Sequence, residues 1–249
     1  MRIVITRDDS TFGRKFLESL SEPPDLLLVE RSNFKQRFKK AWKLGTRIGI
    51  VDAVRYNIRF FSRAFGSKFK AKYRYDNLAK RVEYVDSVND QRAAGLLQAE
   101  PQSFVYLAQS GIISKKILQV GPRRFFNAHP GRIPLLRGVD VVRWALLESL
   151  PLEVTLHEVD AGIDTGQTIL RRPVPVLPTD SIQDVEARST ALCIELLARA
   201  YSHPTLANEN PKEDFPKGPL RFLMNYSTVA RLEQSWPTIR SKYVANEVV

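Results

Sequence analysis

At 249 residues the chain can form one large α/β domain, and two observations fit that class. From Arg2 to Ala108, short apolar stretches of strand length alternate with segments of helical spacing. Further along, two apolar strands, Phe125 to His129 and Val154 to Val159, each run into a turn marked by Gly or Pro. With 43% hydrophobic residues in 249, the chain can bury a full core.

Arg2 to Thr6 reads as the first strand, Arg7 to Ser10 as a turn and helix start, and the helix then runs to about Leu20. Leu26 to Glu30 is a second strand. Between Asn33 and Lys80, the spacings Phe34, Phe38, Trp42 and Val54, Ile58, Phe61, Phe65 predict two amphipathic helices around Gly45 to Gly49. Tyr73 to Asp76 ends that segment. Val82 to Val85 is a short strand; Asn89 caps a helix to Glu100, which Pro101 stops. Phe104 to Ala108 is a buried strand with Gln109-Ser110-Gly111 at its tip, and Ser114 caps a short helix through Val120. Val139 to Ser149 reads as a helix containing Trp144, a core residue. Thr179-Asp180 caps a helix from Ser181 to Tyr201, with His203 just beyond it. The tail from Pro204 holds Pro211, Pro216, Gly218 and Pro219 before a helix at Ser227 to Gln234.

The chemistry concentrates between Phe125 and Gly166. Residues two apart on a strand point the same way, so Asn127 and His129 leave the strand side by side. Ligands of α/β folds usually bind at such a sheet edge. The glycine-punctuated loop Asp160 to Gly166 can carry Asp164 back over that strand. An amide, an imidazole and a carboxylate together suit acyl transfer. Asn127 can donate to a developing oxyanion; His129 can add a second donor or shuttle protons; Asp164 can fix its tautomer or accept an amine proton. Taken singly, these residues read as turn formers and a strand-end histidine; three polar groups on two apolar strands, each beside Gly or Pro, argue for a site.

Asn127-Ala128-His129-Pro130 followed by Pro134-Leu135-Leu136-Arg137-Gly138 resembles the catalytic loop of the folate-dependent formyltransferases. Asp160 to Gln167 resembles the loop that supplies their aspartate, and Ile169 to Pro175 the strand after it. The resemblance is strong from about Gln109 to Val176. It implies a Rossmann-like, mostly parallel sheet with the active-site strands near its middle, and 10-formyltetrahydrofolate as formyl donor. It also implies Asn127, His129 and Asp164 as catalytic residues. Leu107, Gln109, Gly111, Asp160 and Gly162 are then expected at the folate, and Arg137 and Gly138 at the acceptor. The first turn has only Gly13 where the family often has several glycines, which disfavours a ribonucleotide phosphate pocket. The tail is shorter than the β-barrel domain of methionyl-tRNA formyltransferases. By elimination, the expected acceptor is a nucleotide-linked amino sugar, such as a 4-amino-4,6-dideoxysugar of surface polysaccharide. The alternatives are a formyltetrahydrofolate hydrolase, another amine acceptor, or a non-catalytic protein binding RNA or membrane.

The net charge of +11 is uneven: Arg31 to Arg81 carries 16 Lys and Arg against Asp52 and Asp76, a net +14, leaving −3 elsewhere. A solvated basic face accounts for most of it; an anionic substrate, nucleic acid or an acidic membrane are the functional alternatives. No RNA-binding signature occurs, so no nucleic-acid partner is expected. A single Cys193 excludes an intrachain disulfide, and three scattered His give no metal spacing. No apolar run reaches the roughly 20 residues that span a bilayer. The sequence starts directly in a strand, so a cytoplasmic protein is expected. The organisation expected is a catalytic domain at 1–203 with a basic helical insert at 32–80, then an extension at 204–249. Homodimerisation is left open.

Overall fold

A computed structural model describes residues 1–31, 73–100, 102–205 and 216–245. The two basic amphipathic helices expected before Tyr73, with their interleaved aromatics, lie outside these residues, as do Pro101 and Pro211. The strands are β1 (Arg2–Arg7), β2 (Leu26–Glu30), β3 (Val82–Val85), β4 (Phe104–Leu107), β5 (Arg124–His129), β6 (Arg137–Gly138), β7 (Glu153–Glu158), β8 (Thr168–Pro173) and β9 (Leu220–Arg221). The helices are α1 (Thr11–Glu18), α2 (Gln91–Gln98), α3 (Lys115–Leu118), α4 (Val141–Glu148), α5 (Ile182–Ser202) and α6 (Tyr226–Val244).

Among the described residues, seven strands form one sheet in the order β3-β2-β1-β4-β5-β7-β8. Pairing from β3 to β5 is parallel, whereas β7 runs antiparallel to β5, and β8 antiparallel to β7. The fold is therefore the α/β, mostly parallel architecture expected. Most buried positions of its central strands are apolar because both faces are covered. Ile3, Ile5, Leu26, Leu28, Val105 and Phe125 pack on one side with Leu97 of α2 and Ile117 of α3. Val4, Leu27, Val29, Tyr106 and Phe126 pack on the other with Phe16 of α1 and Leu197 of α5. Cys193 is buried in the second layer, a small core residue as expected.

Two helix caps and one helix end differ from the sequence reading for a physical reason. Asp90, not Asn89, caps α2, its carboxylate accepting from the Ala93 N–H at 2.7 Å. Asn89 instead ties to Ser114 and Ile112, securing the loop after β4. Helix α5 is capped by Ser181, not Thr179-Asp180, because Asp184 three residues on closes a reciprocal capping box. Asp180 is buried and paired with Arg188. Helix α6 runs to Val244, well past Gln234 and through Pro237. A helix-interior proline costs about 3 kcal/mol; here Leu232, Trp236 and Ile239 bury against the core and offset it. The Tyr243 hydroxyl donates to Leu150 O at 2.6 Å and anchors the far end.

Among the described residues, no helix is long and apolar enough to cross a membrane.

Candidate active site

Strand register brings the first two groups together. Tyr106 of β4 pairs with Phe126 of β5, so Leu107 stands beside Asn127, and Asn127 pairs in turn with His157 of β7. Across that last pair, Asn127 Nδ2 lies 3.2 Å from His157 Nε2. The other ring nitrogen, Nδ1, lies 3.2 Å from Glu158 O, a carbonyl that can only accept. His157 therefore carries its proton on Nδ1 and presents a lone pair at Nε2. That lone pair accepts one amide hydrogen of Asn127, which sets the amide's orientation and leaves its second hydrogen for the cavity. Burial, reinforced by His129, pushes the His157 imidazole down to about 4, which keeps it in this acceptor form at neutral pH.

His129 lies two residues on, buried at 5% exposure. Its Nε2 is 3.0 Å from Leu136 O, so that nitrogen is the donor. Its Nδ1 faces Asp164 Oδ1 at 3.6 Å. The Leu136 carbonyl, rather than Asp164, thus fixes the tautomer. Burial lowers the imidazole's pKa, against the opposing pull of the Asp164 charge and the Leu136 bond. Neutral His129 directs a lone pair at Asp164, and a proton delivered to either group sits between them.

The surrounding turns are built to hold this pair. Thr155 of β7 donates its hydroxyl to Gly131 O at 2.7 Å, fixing the turn after β5. Asp160 accepts from the Gly162 N–H at 3.0 Å and the Thr165 hydroxyl at 2.8 Å, folding the loop between β7 and β8. Asp164 then sits at φ 50°, and its Oδ2 accepts the backbone N–H of Gly138 at 2.8 Å.

A cavity of about 330 Å³ opens over these groups, inside the range of small-molecule sites, roughly 300–1,000 Å³. Asn127, His157, Asp164 and Gly138 line it. So do the residues expected at the folate: Leu107, Gln109 and Gly111 from the β4 tip, and Asp160 and Gly162 from the β7–β8 loop. Gln109 holds φ 61° with its side-chain oxygen accepting from Ser10. Ile112, Ile113 and Val159 make that side apolar, a fit for an aromatic ring system. His129 lies beneath the cavity wall, reached through Asp164. Arg137, expected at the acceptor, is placed differently: it does not line the cavity. Its guanidinium donates to Gly218 O at 2.8 and 3.1 Å and to Ile163 O at 3.1 Å, joining the C-terminal segment to the Asp164 loop.

His157 is the site residue that the sequence reading missed. Its signal was available, since Thr155 and His157 share one face of a strand that ends in the Asp160 loop; only the antiparallel register puts it opposite Asn127. Among the described residues, no cluster of His, Cys, Asp and Glu has the makings of a metal site.

In solved structures, the formyltransferase PseJ from Anoxybacillus kamchatkensis superposes with a TM-score of 0.53 at 19% identity, covering 98% of this chain and 97% of that one. The N-formyltransferase from Helicobacter canadensis superposes at 0.55 with 14% identity, covering 87% and 69%. These likenesses show the fold. Among curated relatives, the methionyl-tRNA formyltransferase of Anaeromyxobacter dehalogenans (strain 2CP-C) is 32% identical over 117 residues, 46% of this chain and 38% of that protein. That of Syntrophus aciditrophicus is 30% identical over 122 residues, 48% and 39%. The matched segment thus spans well under half the length of the curated relatives. The family model described as formyl transferase matches residues 62–201, more than half of the chain, which therefore belongs to the formyl transferase family.

Proposed function

We propose that the protein transfers a formyl group from 10-formyltetrahydrofolate to the primary amine of a nucleotide-linked amino sugar, in the cytoplasm, for surface polysaccharide. One observation carries the chemistry: an oriented amide donor, Asn127, and the Asp164 carboxylate backed by His129 face one cavity with an apolar strand tip on its wall. The folate would supply the formyl carbon, and Leu107, Ile113 and the Asp160–Gly166 loop would hold its ring. Asp164 takes the proton of the attacking amine, since an amine is nucleophilic only when neutral. His129 Nδ1 shares that proton while Nε2 stays on Leu136. Asn127 donates its second amide hydrogen to the formyl oxygen as charge develops there, and the proton held between Asp164 and His129 passes to the folate nitrogen as its bond to the formyl carbon breaks.

The sugar acceptor is supported by the fold-level neighbours. PseJ was solved with UDP-4,6-dideoxy-4-formamido-L-AltNAc and tetrahydrofolate, and the Helicobacter canadensis enzyme with folinic acid and dTDP-3-aminofucose. A second reading, methionyl-tRNA as acceptor, is favoured by the curated relatives. Purified protein assayed with 10-formyltetrahydrofolate and either acceptor separates the two. Asn127→Ala is expected to lower kcat by about 10²–10³, the usual loss of one oxyanion donor. Near-normal turnover in that variant removes Asn127 from the mechanism; hydrolysis of the folate with neither acceptor formylated identifies a hydrolase.

A further inference from the structure

One backbone oxygen, that of Leu136, receives the His129 Nε2 proton at 3.0 Å. The turn that carries it runs from Gly131 to Gly138. Inside the turn, the Leu136 N–H donates to Arg132 O at 2.7 Å, and Thr155 holds its start at Gly131 O. Its other side is held from far along the chain. Gly218, in the C-terminal segment, donates its N–H to Pro134 O at 3.0 Å. The Gly218 carbonyl accepts two bonds from the Arg137 guanidinium, at 2.8 and 3.1 Å. These two partners flank the Leu135–Leu136 peptide. Gly218 is buried, and a Cβ built on it would overlap the Leu135 carbonyl group. Backbone meets backbone here, and only a residue without a side chain lets the two segments approach this closely. Past Gly218, β9 lines the cavity wall with Leu220 and Arg221 and pairs with β6. The segment thus follows the turn as far as Gly138, whose N–H holds Asp164.

We infer that Gly218 is a positioning residue for the formyl-transfer site: packed on the Leu135–Leu136 peptide, it keeps the Leu136 carbonyl on His129 Nε2 and so keeps the Nδ1 lone pair turned to Asp164. It acts through Leu136 and His129, and its catalytic consequence rests on the proposed function. A methyl group at position 218 must push the segment and the peptide apart, because backbone cannot swing aside as a flexible side chain can. The Leu136 oxygen then draws away from the ring, and a buried N–H without an acceptor is unfavourable. A neutral imidazole has an alternative: its proton moves to Nδ1, where Asp164 Oδ1 lies 3.6 Å away. In that tautomer His129 can no longer share the proton that Asp164 takes from the amine.

The test reads the tautomer directly, by 15N–1H correlation NMR of the imidazoles in the full chain at neutral pH. The chain has three histidines, His129, His157 and His203, so the signals are assigned by single His→Gln substitutions. Wild type is expected to carry the His129 proton on Nε2. Gly218→Ala is expected to move that proton wholly or partly to Nδ1. It is also expected to lower kcat by about 10²-fold, the loss a 1 Å misplacement can cause, with the folate KM nearly unchanged. Gly95→Ala in α2, where a Cβ meets nothing within 4 Å, is expected to change neither. Should Gly218→Ala not fold, Arg137→Met removes two bonds to the Gly218 carbonyl without adding bulk there, and is expected to shift the His129 signal the same way. Folded Gly218→Ala protein that keeps the His129 proton on Nε2 overturns the inference, as does an unmoved His129 signal in Arg137→Met where that variant stands in. The tautomer is read without substrate. Its shift therefore supports the inference even where wild type formylates no acceptor, an outcome that rejects the proposed function alone.

Discussion

The backbone N–H of Gly138 donates to Oδ2 of Asp164 over 2.8 Å, joining two loops 26 residues apart at the reacting end of the cavity. Gly138 holds φ +101°, and a Cβ there would meet Arg221 O at 2.2 Å. A side chain is therefore opposed twice, by its own backbone and by β9. Gly138→Ala is expected to cost about 1–2 kcal/mol from the left-handed backbone alone. The effect on catalysis is larger in proportion, because displacing Asp164 by about 1 Å costs roughly 10²-fold in turnover. Urea denaturation and steady-state kinetics on one preparation check both. A variant with wild-type kcat would show that Asp164 does not depend on this contact.

Stability should fall as the solution is acidified through the histidine range. His129 and His157 are held below the ordinary imidazole value of 6.5, His157 at about 4, chiefly by burial. The unfolded chain thus takes up protons first on acidification. The stability these groups contribute is complete above about pH 6.5 and drains as pH falls toward their folded values, by up to about 1.4 kcal/mol per pH unit for each. His157→Gln offers an amide oxygen to Asn127 but does not titrate. Its stability is expected to fall less steeply between pH 6.5 and 5 than that of wild type, a window above most carboxylate titrations. Parallel slopes in urea titrations of the two proteins contradict the burial of a neutral His157.

The strands were legible because their apolar runs are too short for helices and lie between turn residues; Leu26 to Glu30 and Val82 to Val85 fall where expected. The three polar groups were legible together because His129 stands beside Pro130, Asn127 shares its apolar strand, and Asp164 lies between Gly162 and Gly166. Strand direction was not. Nothing local to Val154 to Glu158 states that it runs antiparallel to β5, and without that direction His157 has no partner. Nor was the role of the Leu136 carbonyl, since backbone oxygens carry no residue identity. The caps were missed by one or two positions because Asn89 and Asp90, and Asp180 and Ser181, are all competent cap formers. Which member wins is decided by tertiary partners, Ser114 for Asn89 and Arg188 for Asp180.

Arg137 provides the sharpest test of structure against expectation. Its motif position suggests a cation for an anionic acceptor, yet the fork bridges Gly218 O and Ile163 O. A planar guanidinium spans two carbonyls in this way; a lysine ammonium reaches one. Charge-assisted hydrogen bonds contribute about 1.5–3 kcal/mol each, less where half-exposed. Arg137→Met is therefore expected to lower Tm by several degrees, with modest losses in both kcat and acceptor KM as the Asp164 loop and the β9 wall loosen together. Arg137→Lys should recover little. A residue that binds the acceptor's phosphates behaves otherwise: Arg137→Met would leave Tm unchanged and raise KM by about 10² or more, and Arg137→Lys would restore part of it. Thermal unfolding of the three proteins, set beside their acceptor KM values, decides between a clamp and a ligand.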